Sequence, residues 1–439
     1  MFRLSILINQ DEFVLHGEDM TSPLRGCVRQ PTENLPSGHC LEKLDLVLQG
    51  SQNELRSFIL RLQTIVERLR LGHEIWLALQ PDATGEVYQS RLYAGKFGWL
   101  LNSVRLKGIG IRLELERQNF WQLPWRKLAL TNVHGSLVQD GLQIDNRADS
   151  LSGKQNWCWL AGSSLLGDLA APVRVHLRHD IGPAEDIDRV MMGLSSGHNQ
   201  PLDVLEGELA DSPVTYGSII DTSCHGNAFG LVQWDGTIVQ RVLSWILPGS
   251  TFQGLAGKQI RPLVRLVNLA GLKDGTWLSW KLYHGGLVYQ SAAQQLSRDR
   301  SLQVLPSIHL PTLPNQHSNW ADLRLELHAH NRETGTNQLA IDAIFLFFSE
   351  SWRQFSAMLH GKLAFGEELI DQCDQSVPYI HIAYTDSDLH AYQTLGNGLW
   401  LIPGEDHVLQ VLWDTGLEMP LEMSCHLEVE YQPRVRMLT

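Results

Sequence analysis

Alternating apolar and polar positions run through most of the chain and predict short β-strands. In "LDLVLQG" the apolar positions are Leu44, Leu46 and Leu48, and "APVRVHLRHDIG" shows the same alternation. Successive side chains of a strand point to opposite faces, so this period of two is typical of a sheet with one covered face. Many such strands at short spacing predict several β-sandwich or jelly-roll domains and not alternating βαβ units.

One segment breaks this pattern and predicts an amphipathic helix in the N-terminal domain. In "SQNELRSFILRLQTIVERLRLG" apolar residues recur at intervals of three and four, at Leu55, Phe58, Ile59, Leu62, Ile65, Val66 and Leu69. Ser51 and Glu54 match a capping box, and Gly72 can end the helix. The apolar stripe can pack on the sheet of its own domain or against neighbouring copies of the chain.

Composition narrows the class of protein. With 439 residues, the chain is too long for one ordinary hydrophobic core, so several domains are expected. A formal net charge of −13 without an Lys/Arg-rich run argues against a nucleic-acid partner. The apolar stretch in "MFRLSILINQDEF" is too short for a secretory signal. The six cysteines form no Cys-x-x-Cys pair, so neither a disulfide framework nor a zinc site is indicated.

An aspartate lies within an apolar run. The stretch "TNQLAIDAIFLFF", residues 336 to 348, is too short to span a bilayer and carries Asp342 in its middle. No membrane insertion is expected from it. A buried and unpaired carboxylate is too costly to keep. Asp342 must therefore face water, pair with a partner or hold a metal ion.

One enzyme motif occurs, a G-x-S-x-G pattern from Gly193 to Gly197 with Ser195 at its centre. The nucleophile elbow of esterases needs a strand before the serine and a helix after it. The residues that follow, "HNQPLDVLEG", have no helical periodicity. The sequence therefore favours a protein that is not an enzyme, with an esterase as a remaining hypothesis.

The order of several sequence patterns resembles a known family. The first 120 or so residues, ending "GIGIRLELERQNFW", resemble the N-terminal ring domain of distal tail proteins from long-tailed bacteriophages. The segments "LLGDLAAPVRVHLRHDIG" and "LGNGLWLIPGEDHVLQVLWDTG" resemble the galectin-like second domain of that family. Residues 204–352, between them, resemble a carbohydrate-binding jelly roll of the kind appended to glycosidases.

The resemblance implies four segments. Residues 1–125 form a ring-forming β-domain with one helix, and residues 126–203 and 353–439 form the two parts of a galectin-like sandwich. Residues 204–352 are the inserted jelly roll. We expect deletion of this insertion to leave the flanking parts folded, because together they supply enough strands for two covered sheets.

The resemblance also implies a metal site. Such jelly rolls open on a Glu-x-Glu strand and close on a strand with an aspartate, matched here by Glu206, Glu208 and Asp342. In the family these strands lie side by side and their carboxylates hold a structural Ca²⁺, an ion that prefers oxygen ligands. The alternative is that all three are ordinary strand residues facing solvent.

Glycan binding needs an aromatic face and a few fixed polar groups. Trp277 in "TWLSWKLY" shares a strand face with Ser279 and Lys281, whereas Trp280 points toward the core. Trp320 follows the polar loop "NQHSN", where related modules place a sugar-stacking aromatic residue. Both tryptophans can instead be packing residues, and Ala340 stands where many relatives have a sugar-contacting asparagine.

The resemblance implies a structural protein of the virion. It would form a homohexameric ring that joins the tail tube to the tail-tip hub and adhesion proteins, and its insertion would contact host-surface glycans. Such a virion is assembled in the host cytoplasm. The alternative is a free carbohydrate-binding, lectin-like protein. A hexameric ring in solution supports the first interpretation, and a monomer counts against it.

Overall fold

A computed structural model describes residues 2–9, 11–82, 85–100, 108–148, 153–197, 204–235, 237–247, 257–284, 286–310, 323–356, 362–372, 380–383, 389–390, 393–415 and 423–436. The fold is mostly β, with antiparallel sheets and, within these residues, one α-helix. This confirms the fold class that the sequence predicts. No helix of the described part is long and apolar enough to cross a membrane.

The elements are numbered in chain order. Residues 3–122 contain β1 (Arg3–Ile8), β2 (Asp11–His16), β3 (Leu24–Arg29), β4 (Glu33–Asn34), β5 (Cys40–Leu48), α1 (Gln52–Arg70), β6 (Ile75–Gln80), β7 (Tyr88–Trp99), β8 (Ile109–Arg117) and β9 (Trp121–Gln122). Residues 126–196 contain β10 (Arg126–Lys127), β11 (Leu130–Thr131), β12 (Leu137–Val138), β13 (Leu142–Asp145), β14 (Trp157–Leu160), β15 (Ala171–Ile181) and β16 (Arg189–Ser196).

The second half of the chain continues in strands. Residues 205–348 contain β17 (Leu205–Glu206), β18 (Thr215–Ile220), β19 (Ala228–Asp235), β20 (Gln240–Leu247), β21 (Gln259–Val267), β22 (Thr276–His284), β23 (Leu287–Gln290), β24 (Gln294–Gln295), β25 (Leu302–Val304), β26 (Ile308–His309), β27 (Leu323–Asn331) and β28 (Thr336–Phe348). Residues 352–435 contain β29 (Trp352–Ser356), β30 (Glu367–Gln372), β31 (Ile380–Ala383), β32 (Leu389–His390), β33 (Gln393–Gly396), β34 (Trp400–Leu401), β35 (His407–Asp414), β36 (Ser424–Tyr431) and β37 (Arg434–Val435).

The chain divides into two compact units. The N-terminal unit comprises Met1–Arg126, Leu166–Ala170 and Gln432–Thr439, so the end of the chain returns to it, where β37 pairs with β9. Its main sheet has the order β2-β1-β6-β7-β8-β5-β3. The other unit comprises Lys127–Leu165 and Ala171–Tyr431.

Helix α1 follows the predicted pattern. The Ser51 hydroxyl accepts a hydrogen bond from the Glu54 N–H at 3.4 Å, and the Glu54 carboxylate accepts one from the Ser51 N–H at 2.7 Å, so the capping box forms. The buried stripe packs on the sheet of its own unit: Phe58, Leu62, Ile65 and Leu69 join its core, and Val66 is buried beside them. Gly72 ends the helix with φ +80°.

The second unit contains two pairs of sheets. The strands of the first pair are β11 to β16 and β29 to β36. We call this pair the flanking sandwich, because its strands precede and follow β17 to β28 in the chain. One of its sheets has the order β36-β15-β30-β31-β32, and the other has the order β12-β11-β14-β35-β16-β29-β33. Apolar side chains from both sheets meet in one core, for example Val175 from β15 and Val411 from β35.

The second pair of sheets is the inserted module, β17 to β28. Its sheets have the orders β18-β19-β28-β21-β25 and β20-β27-β22-β23. The core between them includes Trp234, Leu278 and Trp280, so Trp280 is a core residue as its strand phase predicts. The chain leaves and re-enters the flanking sandwich through β16 and β29, which pair with Gly193 opposite Trp352.

An apolar cluster joins the inserted module to the flanking sandwich. The sandwich contributes Met191 and Leu412, and the module contributes Leu263, Leu302, Ala343, Phe345 and Phe347. Strand β28 therefore has an apolar layer on each face, which explains why its sequence is almost continuously apolar. A strand that is buried on both faces has a nearly continuous apolar sequence, and β28 follows this rule.

Candidate functional site

Asp342 lies at a β-bulge in β28. On the neighbouring β21, Arg265 is opposite Ala343 and Leu266 is opposite Ile341, so Asp342 is the extra residue. The bulge reverses the two faces of the strand. Before it, Leu339 and Ile341 face the module core, and after it Ile344, Leu346 and Phe348 do so. A bulge re-aims side chains, and here it frees Asp342 from the regular alternation.

Asp342 pairs with an arginine. The Nε of Arg265 lies 2.6 Å from Oδ2 of Asp342, and both side chains are fully buried. The second carboxylate oxygen, Oδ1, accepts the backbone N–H of His225 at 2.8 Å. Of the three alternatives that the sequence leaves for Asp342, the described structure therefore supplies pairing with a cation of the chain itself.

Arg265 also reaches the flanking sandwich, where its Nη1 donates to the backbone carbonyl of Asn146. The Asn146 side chain is held in turn, because its amide donates to the Trp413 carbonyl at 2.6 Å and its oxygen accepts the Trp413 N–H at 2.9 Å. The ion pair of the inserted module thus bonds to a fixed backbone group of the sandwich.

A second buried ion pair crosses the same junction in the opposite direction. Arg189 and Asp414 of the flanking sandwich lie 2.7 Å apart, and Arg189 also donates to the Leu302 carbonyl of the inserted module. Asp414 accepts from the Ser301 hydroxyl at 3.1 Å and from the Leu302 N–H at 3.3 Å. Each module therefore contributes one ion pair that satisfies polar groups of the other.

The two predicted glutamates lie close to Asp342. Strand β17 pairs with β28, with Glu206 opposite Ala343, so the first and last strands of the module are neighbours, as the resemblance implies. The Glu206 carboxylate contacts Nδ1 of His225. A Cβ on Gly226 would lie 3.0 Å from Oε1 of Glu208 and 3.3 Å from Oε2 of Glu206, so both carboxylates converge on this loop.

The negative charges of the three carboxylates in the site are only partly neutralised by neighbouring groups. Burial, together with the smaller effect of the negative charges of Glu206 and Asp342, raises the pKa of Glu208 to about 7. Burial also raises the pKa of Asp342, while the Arg265 guanidinium opposes that rise. One buried oxygen of Glu206 and one of Glu208 have no hydrogen-bond partner among the described residues.

The predicted calcium ligands are brought together, but Asp342 does not fit a calcium shell as arranged. Both of its oxygens accept N–H donors, and a guanidinium occupies the place where a cation would neutralise it. Among the described residues, no group of three or more His, Cys, Asp or Glu side chains is arranged to hold a metal ion. Calcium bound by Glu206, Glu208 and Asp342 stays a prediction.

The predicted glycan-binding residues have different outcomes. Trp277 is half-buried and stacks on His330, with ring centroids 6.1 Å apart, while the Arg332 guanidinium lies 5.4 Å from the indole centroid. Neighbouring side chains of the module therefore already contact its ring. Trp320 lies outside the described residues. Sugar binding by either tryptophan stays a prediction.

Ser195 lies inside β16, opposite Val408 of β35, and Ser196 continues the same ladder. A nucleophile elbow places the serine on a sharp turn that follows the strand, which differs from this position. Gly193 of the motif has a packing role, because a Cβ there would lie 2.9 Å from the Phe347 ring of the inserted module. Packing at the module junction therefore accounts for the first glycine of the motif, and esterase activity stays a hypothesis.

The sequence analysis missed Arg265 and His225 as members of the site. A partial signal was available, because the apolar strand "QIRPLVRLV" carries two arginines, Arg261 and Arg265, while Asp342 is the only charged residue of β28. Opposite charges in two such apolar strands favour a buried pair, since each is too costly to bury alone, but the sequence does not say which arginine is the partner. His225 is in a loop, and its sequence carries no comparable signal.

Comparisons with known proteins add little to this geometry. No family model and no curated protein matches the chain. An exo-β-1,3-galactanase from Phanerochaete chrysosporium with galactose is 9% identical, with 74% of this chain and 82% of that chain covered and a TM-score of 0.20. A chain in the structure of infectious bursal disease virus, Gx strain, is 9% identical to this one, with 80% of this chain and 81% of that chain covered and a TM-score of 0.19. Similarity at this level supports no argument about function.

Proposed function

We propose that the protein is a structural component of a phage tail tip, a distal tail protein that assembles into a homohexameric ring between the tail tube and the tail-tip hub. Its inserted module would contact glycans of the host surface. The assignment to a tail rests on the resemblance of the sequence. The assembly into a ring has support from the surface of the N-terminal unit.

The observation that carries the proposal is the exposed apolar surface of that unit. On helix α1 and just beyond it, Leu60 is 53% and Leu71 is 76% exposed, and Trp99 at the end of β7 is 61% exposed. Strand β3, with Val28 exposed, is the last strand of the sheet order. Exposed apolar side chains and sheet edges are typical of surfaces that neighbouring subunits cover.

The experiment is the size of the full-length protein in solution, by analytical ultracentrifugation and negative-stain microscopy. The expected result is a six-fold ring. The double variant Leu60→Glu/Trp99→Glu should dissociate it, because two charges would then be buried without partners. Leu137→Glu is the matched control, since Leu137 is 61% exposed on β12 of the flanking sandwich and should leave the ring intact.

A strictly monomeric full-length protein at high concentration would contradict the ring and favour the free carbohydrate-binding protein. The two functions also differ in glycan binding. A free lectin-like protein must bind glycans as a monomer, whereas assembly of the ring does not depend on glycan binding. Loss of the ring without loss of fold, measured by circular dichroism, separates assembly from stability.

A further inference from the structure

A polar groove runs along the junction of the inserted module and the flanking sandwich, with a volume of about 850 Å³. The sandwich side contributes Asp188, Gln354 and Asn397, and the module side contributes Gln259, Gln295 and Arg300. Both walls belong to the same compact unit of the chain. Ligand sites occur preferentially where two modules meet, so the groove is a candidate binding site.

The groove continues on the surface of the inserted module. A second cavity of about 500 Å³ is lined by Asn268, Asp274 and Gly275, and it shares Gln295 and Asp299 with the first. The two cavities therefore adjoin at these shared side chains. Adjacent cavities of this size suit an extended chain of repeating units better than a single small molecule.

Arg261 and Trp352 both line the junction groove. The Arg261 guanidinium lies 4.7 Å from the ring centroid of Trp352, and the indole itself is buried. The Nε of Arg261 is buried and has no hydrogen-bond partner among the described residues. Because that nitrogen is enclosed by protein, a ligand in the groove does not reach it. Arg261 as a whole is half-buried and lines the groove, so it would meet a ligand hydroxyl through the rest of its guanidinium group.

The lining selects a neutral, hydroxyl-rich ligand. In the lining, the two positive charges of Arg261 and Arg300 are equal in number to the two negative charges of Asp188 and Asp299, and Arg189 pairs with Asp414. The remaining polar side chains are mostly amides, which both donate and accept hydrogen bonds as sugar hydroxyls do. An anionic ligand would gain no net attraction, and an apolar ligand would leave these groups unpaired.

The walls of the groove are held in place. The Arg189 contact with the Leu302 carbonyl and the Ser301 contact with Asp414 both lie at this junction, next to the apolar cluster around Met191 and Leu412. A site whose walls are fixed before binding loses less entropy when the ligand arrives. The groove is therefore preformed.

We propose that this groove binds a neutral oligosaccharide, so that the glycan site of the protein lies between the two modules and not on the Trp277 face of the inserted one. The inference rests on the proposed contact with host-surface glycans and places it at Gln295, Asn397 and Arg261. It is independent of the ring.

The test is binding of the full-length protein to neutral hexasaccharides, namely cellohexaose, maltohexaose, xylohexaose, mannohexaose and laminarihexaose, by isothermal titration calorimetry. A heparin hexasaccharide is the charged comparison. At least one neutral probe should bind. Gln295→Ala/Asn397→Ala, which removes one amide from each wall, should weaken that binding about tenfold or more. Gln290→Ala is the matched control, an exposed glutamine on β23 outside the groove, and should leave binding unchanged.

The outcomes separate the inference from the proposed function. Binding that survives Gln295→Ala/Asn397→Ala but is lost in Trp277→Ala would keep the glycan contact and overturn the groove. Binding to none of the neutral probes, or a preference for heparin, would overturn both the groove and its neutral ligand. Whether the protein forms a ring is measured separately, by sedimentation, and none of these binding results decides it.

Discussion

Arg265 and Asp342 form a fully buried ion pair, with Nε and Oδ2 2.6 Å apart, at the bulge where β28 exchanges its two faces. The pair lies in the layer between the core of the inserted module and the flanking sandwich. Arg265 extends its bonding to the Asn146 carbonyl across the junction. One interaction therefore orients the bulge and ties the two modules together.

Breaking this pair should be strongly destabilising. Arg265→Ala leaves the Asp342 carboxylate buried without its cation, and loss of one partner of a buried pair costs about 3–5 kcal/mol. The double variant Arg265→Met/Asp342→Leu should cost less than Arg265→Ala, because no charge is left buried. Urea unfolding of the full-length protein measures both.

The matched control for that prediction is Arg298→Ala. Arg298 pairs with Asp274 at 3.3 Å in the same module, but both side chains are largely exposed, so its loss should cost less than about 1 kcal/mol. An Arg265→Ala variant that unfolds at the same urea concentration as the Arg298→Ala variant would show that the buried pair contributes little.

The sequence predicts the regular parts of this protein well. The strand periodicity and the capped helix follow from local patterns, since alternation and i, i+3, i+4 spacing report which face is covered. The pairing of β17 with β28 followed from the resemblance of Glu206 and Asp342 to strand-end residues of a known jelly roll. Each of these features depends on residues that are close in sequence or on a known order of strands.

The candidate site was less predictable. Arg265 lies 77 residues before Asp342, and only the bulge brings the two side chains together. A bulge shifts the register by one residue, which a pattern of apolar residues buried on both faces cannot reveal. The groove near Gln295 and Asn397 depends on the docking of two modules, which no local pattern records.

Calcium provides a direct test of what neutralises the three carboxylates. If Arg265 supplies the charge, the melting temperature of the wild-type protein should be the same in Ca²⁺ and in EDTA. In Arg265→Ala, Glu206, Glu208 and Asp342 lose that cation, and saturating Ca²⁺ should then raise the melting temperature. Differential scanning calorimetry measures both. A drop in wild-type melting temperature on chelation would instead favour the structural calcium of the resemblance.

Glu208 should make stability depend on pH. Its pKa is raised from 4.5 to about 7 in the folded protein, so between these values the folded state binds more protons than the unfolded state. Its contribution to stability is present below about pH 4.5 and is lost as pH rises through 7. Thermal unfolding from pH 4.5 to 8 should therefore show Glu208→Gln gaining stability relative to wild type as pH increases. Glu350→Gln, an exposed carboxylate of the same module, is the control, and an equal trend in both variants would contradict the assignment.

Removal of the inserted module should leave a folded but associating protein. Strands β16 and β29 pair directly, with Gly193 opposite Trp352, so a short Gly/Ser linker can replace residues 204–348 without pulling the sandwich apart. Within the described residues, the sandwich core around Val175 and Val411 is formed by side chains from outside the inserted module. Circular dichroism should therefore still show a β-rich fold with a cooperative thermal transition.

The association has a defined cause. Met191 and Leu412, both fully buried by the inserted module and its neighbours, become part of an exposed apolar surface in the deletion variant. Such surfaces drive self-association. Met191→Thr/Leu412→Thr in the deletion background should reduce that association in sedimentation velocity, measured against the deletion alone. The same substitutions in the full-length protein should destabilise it instead, because there they remove two apolar side chains from a packed cluster, at roughly 1–3 kcal/mol each. A deletion variant that fails to fold, with or without the threonines, would show that the flanking sandwich depends on the module that divides it.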